Sequence, residues 1–116
     1  MSSLPDPRRV AFDLAAAGVA TGLPVPARVE VGDVTCNHGD LTLHFGDDRQ
    51  ADADRWAAWL NMPRPVLAGH GPIESAHRWF KPYRTTTRDH EVTRQRVTVQ
   101  TYVTVPAPAD VEAVAR

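Results

Sequence analysis

The 116-residue chain has one cysteine (Cys36), one lysine (Lys81) and one isoleucine (Ile73). A single cysteine allows no intramolecular disulfide and no site built on several thiolates, and it fits a reducing cytoplasm. No apolar stretch approaches the ~18 residues of a membrane-spanning helix. No apolar run follows Arg8-Arg9 to serve as the core of a signal peptide. A soluble, cytoplasmic protein with no membrane partner is expected. The net charge of -1 gives the whole chain no excess of positive charge to draw it to nucleic acid or anionic lipid. Twelve arginines against one lysine read as the codon usage of a GC-rich source, which weakens arginine content as a sign of phosphate recognition.

Motifs of catalysis are missing too. There is no phosphate loop and no dinucleotide fingerprint. Ser75 lies two residues from His77 without the glycine-framed elbow of a nucleophilic serine. Asp47-Asp48 with Asp52 and Asp54 lacks the glycine and terminal glutamate of a calcium loop. Cys36, His38, Asp40, His44, His70 and His77 are near enough in sequence to raise a metal site. Such a site needs ligands converging from one side, and the strand register given below points Cys36 and His44 to opposite faces. No metal, no cofactor and no enzymatic activity are expected; the alternative, a small enzyme, would gather His44, His70 or His77 around a carboxylate.

What is present is the patterning of one globular α+β domain over 1–116, with 42% apolar residues. A helix is predicted over 7–17, capped by Asp6, with Pro7 in its first turn and Gly18 closing it in a left-handed conformation. Val10, Leu14 and Ala17 would form its inner face, with Phe12 beside them. Residues 27–45 alternate with period two. A two-residue turn at His38-Gly39 would pair Asn37 with Asp40, Cys36 with Leu41, Val34 with Leu43 and Asp33 with His44. One face would then hold Val34, Cys36, Leu41, Leu43 and Phe45, the other Asp33, Thr35, Asn37, Asp40, Thr42 and His44. Gly32-Asp33 reads as a second turn or a bulge, and either leaves Val29 and Val31 facing the core.

A second helix is predicted over 49–60, with Ala53, Trp56, Ala57 and Leu60 on its inner face and Trp59 on the flank. Asn61 would take the left-handed cap, Met62 would pack back, and Pro63 would prevent continuation. The rest reads as strands over 65–68, 73–83 and 92–105, with Pro82 confining the second to an edge or a strand end. Residues 110–115 form a short terminal helix or fray, a choice left open. The expected architecture is an antiparallel sheet of four to five strands with two helices packed on one face, in the order α-β-β-α-β-β-β.

Charge is uneven along the chain. Residues 77–96 carry Arg78, Lys81, Arg84, Arg88, Arg94 and Arg96 against Asp89 and Glu91, a balance of +4. Trp79, Phe80 and Tyr83 lie among them. Cations interleaved with rings suit a single-stranded nucleic acid, and Trp, Tyr and Arg are equally the residues of protein-binding hot spots. The bland alternative is a core aromatic with arginines solvating an ordinary half-buried strand. The expected function is a non-enzymatic binding module using Arg78, Trp79, Lys81, Tyr83, Arg84, Arg94 and Arg96, its partner protein or nucleic acid. Residues 1–76 carry a balance of -4, which adds self-association to the options.

Leu23-Pro24-Val25-Pro26 leading into Val29-Glu30-Val31, then Leu41-Thr42-Leu43-His44-Phe45, then Arg55-Trp56-Ala57-Ala58-Trp59-Leu60 before Pro63, resembles small uncharacterised actinobacterial proteins. Many of those occur in phage, prophage and conjugative-element gene neighbourhoods. The resemblance covers the first half of the chain, through packing and turn residues. It implies an α-β-β-α opening and a mobile-element context, and it transfers no site residue and no ligand.

Overall fold

The first helix begins where the sequence supplies a cap. Asp6 accepts the Arg8 backbone N–H at 2.9 Å, and α1 (Pro7–Ala20) runs from there. The computed structural model describes residues 6–32, 40–69, 71–75, 78–88, 90 and 96–107. α1 continues through Gly18, and Gly22 (φ +99°) takes the left-handed turn instead. The Gly22 N–H reaches the Val19 carbonyl and the Leu23 N–H that of Gly18, so the last carbonyls are satisfied. Gly18 serves packing: a Cβ there would overlap the Trp56 ring. The inner face of α1 is accordingly rotated from the expected one. Ala11, Ala15 and Gly18 are buried, Leu14 packs at the margin, and Ala17 and Phe12 are exposed. Small residues win that face because a tryptophan approaches it.

β1 (Arg28–Val31) pairs antiparallel with β2 (Asp40–Asp47), setting Arg28 opposite His44, Val29 opposite Leu43 and Val31 opposite Leu41. This corrects the register expected from a His38-Gly39 turn. The other edge of β2 is occupied by β6 (Arg96–Val105). Residues 33–39, with Cys36, the His38-Gly39 turn and Asp33 of the Gly32-Asp33 pair, lie outside the described residues. The period-two division itself holds: Leu41, Leu43 and Phe45 are buried, and Val29 and Val31 pack against them.

Near its end β2 bulges at Gly46 (φ +79°), where the register with β6 shifts. Asp48 (φ +55°) then turns the chain into α2 (Gln50–Trp59). α2 ends as expected. Leu60 is the cap, Asn61 is left-handed at φ +57°, the Met62 N–H bonds the Ala57 carbonyl at 2.8 Å, and Met62 is buried. Two short strands follow, β3 (Val66–Leu67) and β4 (Ile73–Ser75), both antiparallel to β5 (Arg78–Thr87). The stretch expected as one strand is therefore two. Pro82 sits inside β5 rather than at its edge or end. Its carbonyl accepts from Ala68 on the β3 side, at the point where β3 stops and a missing donor is tolerated.

β5 pairs antiparallel with β6, and the sheet order is β1-β2-β6-β5-β3 with β4 also on β5. Six strands form it, and the central β2–β6 pair is parallel. That pair is the departure from an all-antiparallel sheet, and it needs the long crossover that α2 and β3–β5 supply. Leu41, Leu43, Phe45, Val97 and Val99 meet Ala11, Ala15, Ala53, Trp56, Ala57 and Leu60 in one core. The Trp56 Nε1–H donates to the Pro24 carbonyl at 2.6 Å, so the largest core side chain leaves no unpaired donor. The opposite face of the sheet is uncovered among the described residues. Residues 92–95 and 110–115 lie outside them.

Candidate functional site

Directly opposed strand residues share a face, so the register writes out the open face row by row. One row crosses five strands as Arg28, His44, Gln100, Arg84 and Val66. The next holds Glu30, Thr42, Thr98 and Thr86, and beyond it Asp40 stands opposite Arg96. In the other direction come Tyr102 with Pro82, then Thr104, Phe80 and Ile73. The face thus has a polar half over β1, β2 and β6, and an apolar half over β5 and β4.

A concavity of about 470 Å³ occupies the polar half, lined among others by Glu30, Asp40, His44, Arg84, Arg96 and Gln100. Its charges are mostly paired with one another. Arg96 Nε and Nη2 donate to the two Asp40 oxygens at 2.9 and 2.8 Å, a two-pronged bond. That hydrogen bonding, with the adjacent negative charge, raises the Arg96 pKa further. His44 Nε2 donates to Glu30 Oε2 at 2.9 Å, and Arg28 Nη2 lies 3.5 Å from the same oxygen. The Thr86 and Thr98 hydroxyls bond each other at 3.0 Å. Two groups stand apart. Arg84 is exposed and Gln100 is only 8% exposed, and neither side chain has a hydrogen-bond or ionic partner among the described residues.

The apolar half is a second, smaller hollow lined by Asp47, Ile73, Ser75, Phe80 and Tyr102. The Arg78 guanidinium lies 5.1 Å from the centre of the Phe80 ring and donates to Thr104 Oγ1. Asp48 accepts the Thr104 backbone N–H at 2.8 Å and its hydroxyl at 2.7 Å. Those two bonds, the backbone one first, hold the Asp48 carboxyl below its ordinary pKa. Val66 and Ile73 are more than half exposed and extend the apolar surface.

The residues expected to form one binding surface are divided by strand alternation. Arg78, Arg84 and Arg96 lie on the open face, whereas Trp79, Lys81 and Tyr83 point to the helix side. Arg94 lies outside the described residues. Tyr83 is a structural tie: its hydroxyl donates to Asp54 of α2 at 2.6 Å, and Arg64 approaches the other Asp54 oxygen. Burial, then that hydrogen bond, pushes the Tyr83 phenol above its ordinary pKa. The aromatics that do accompany the arginines are Phe80 and Tyr102. Tyr102, Gln100 and Glu30 were not expected at a site, and His44 was weighed only as a metal ligand or as part of a histidine–carboxylate site. Gln100 was legible as the one amide in the alternating row Arg96, Thr98, Gln100, Tyr102, Thr104.

Of the residues considered for a metal, Asp40 and His44 are described. Asp40 is engaged by Arg96 and His44 by Glu30, and no group of three or more metal-ligating side chains occurs among the described residues. The expected Asp33–His44 opposition is replaced by Arg28 opposite His44 with Glu30 as its carboxylate partner. That pair fixes a histidine ring, and the face around it offers hydrogen bonds and charge. His90, on the helix side, is buried with Nε2 at 2.9 Å from the Leu60 carbonyl, at the end of α2. No helix among the described residues is long and apolar enough to cross a membrane. No protein-family model, curated protein or solved structure matches the chain.

Proposed function

We propose that the chain is a non-enzymatic protein-interaction module that docks its partner on the open face of the sheet. The observation that carries this reading is the balance of charge on that face beside an apolar patch. Among the described residues, Arg28, Arg78, Arg84 and Arg96 are matched by Glu30, Asp40, Asp47 and Asp48. A polyanion is held by uncompensated cations that displace its counterions, and a face with alternating signs lacks that excess. A protein surface, with both signs and an apolar centre, matches it better. Ile73, Val66, Phe80 and Tyr102 supply the apolar patch and Arg78 its guanidinium anchor.

The second reading, binding of single-stranded nucleic acid, is favoured by one observation. Phe80 and Tyr102 lie on an open sheet face with Arg78 over one of them, the arrangement on which bases stack. A mobile-element setting would accommodate either partner.

Peptides selected by display on the immobilised full-length chain test the leading reading. The expected binders shift the amide signals of Ile73, Phe80, Gln100 and Tyr102 in a heteronuclear NMR spectrum. Ile73→Asp, at an exposed position, should weaken them at least tenfold. An absence of open-face binders contradicts the reading. So does tighter binding of a single-stranded oligonucleotide at 150 mM salt with shifts at Phe80 and Tyr102.

A further inference from the structure

The transverse row Arg28, His44, Gln100, Arg84 is made of four side chains on four adjacent strands. Two of them are engaged. Arg28 and His44 share Glu30, and next to them Asp40 is held by Nε and Nη2 of Arg96. The other two, Gln100 and Arg84, are directly opposed across β5 and β6 and line the same concavity. Gln100 is more than nine-tenths buried, yet its amide has no partner among the described residues. Burying an amide without a hydrogen bond costs about 1–3 kcal/mol, so such groups are rare and each needs a reason. Arg84 supplies the fork of donors beside it.

We infer that Gln100 and Arg84 form a subsite for a single carboxylate, an aspartate or glutamate side chain presented by the protein partner. This rests on the docking reading given above and adds the chemistry of its central contact. Two N–H donors from Arg84 and one from Gln100 suit the planar, two-oxygen shape of a carboxylate. Charge selects the same group. Glu30 and Asp40 line the concavity and are paired with Arg28, outside the lining, and with Arg96, which leaves Arg84 as the lining cation without an anionic partner among the described residues. One negative charge neutralises it. A phosphate near its dianionic form would bring a second charge toward Glu30 and Asp40. Thr86 and Thr98, already bonded to each other, border the subsite without competing for the ligand.

The test is a heteronuclear NMR titration of the full-length chain with three probes: N-acetylglutamate amide, N-acetylglutamine amide and inorganic phosphate. The glutamate probe should saturate shifts at the Gln100 side-chain NH₂ and the Arg84 Nε–H. The glutamine probe should leave them unmoved, and phosphate should act only at higher concentration. Arg84→Ala should weaken the glutamate probe by at least about tenfold, the loss expected for a charge-assisted hydrogen bond. Arg84→Lys, which keeps the charge without the fork, should fall between. Equal shifts from glutamine, tighter binding of phosphate, or unmoved Gln100 signals would each overturn the subsite. The two proposals part cleanly here. A failed titration leaves the display-selected peptides standing as open-face binders without an acidic requirement. A positive titration with an empty selection leaves the carboxylate subsite and removes the protein-docking reading.

Discussion

Thr101 and Gln100 are neighbours in β6 and point to opposite faces, and the sheet treats them differently. The Thr101 hydroxyl donates to the Gly46 carbonyl at 2.9 Å and accepts the Arg49 backbone N–H at 3.1 Å. One buried oxygen thus joins the β2 bulge to the entrance of α2. Gln100 is buried almost as deeply and holds nothing among the described residues. The helix side spends its polar groups on the fold, while the open side keeps an unused amide beside an unused guanidinium. A polar residue that costs stability without a partner in the fold points to a partner outside it.

If the helix side is the scaffold, breaking it should unfold the chain. Trp56→Ala removes a fully buried ring that packs against Gly18 and bonds Pro24. It should cost about 3–5 kcal/mol by urea unfolding followed by circular dichroism. Domain stabilities are commonly only about 5–15 kcal/mol, so a stable variant would show that α1 and α2 contribute less than their packing implies.

Thr101→Val sharpens the contrast at a single strand. It strands the Gly46 carbonyl and the Arg49 N–H, and a loss of about 1–3 kcal/mol is expected. Thr98→Val, three residues away on the open face, should stay within about 0.5 kcal/mol. Equal losses would erase the distinction between the faces.

A smaller effect separates them by pH. The Asp48 carboxyl is held below its ordinary value by bonds from Thr104, so it binds its proton less readily folded than unfolded. Its contribution is present above the ordinary aspartate range and is lost as pH falls through the depressed native value. Asp48→Ala should therefore shrink the loss of stability on acidification from about pH 5 downward. Tyr83 behaves in the opposite sense. Its raised pKa makes its contribution complete below about pH 10 and lost as pH climbs beyond the native value. Tyr83→Phe should flatten the alkaline limb of the same curve and leave the acid limb alone.

Much of this fold was legible in the residues, and the failures have local causes. The α2 exit could be read from Asn61-Met62-Pro63 because left-handed caps are set by the residues themselves. The inner faces of β2 and β6 followed from period two. The β1–β2 register did not, because a glycine-containing turn was the strongest nearby signal and the competitor for the β2 edge lies some 50 residues away in β6. The parallel central pair is hidden for the same reason. Gly18 resembled a helix cap, and only the tertiary approach of Trp56 shows why that position has no side chain. The site was half legible. Charge and rings in 77–96 draw attention to β5, but strand alternation divides them between the two faces, and Gln100 becomes informative only once its burial and its lack of a partner are both visible.

Gln100→Leu, measured by its urea midpoint, tests the division of labour between the two faces most directly. Leucine fills a similar volume without an amide to satisfy. If the open face keeps Gln100 for a ligand, the unliganded variant should unfold at the same or a higher urea concentration than the parent chain. A clear fall in the midpoint would mean that the amide contributes to the fold, and would contradict the division of labour between the two faces.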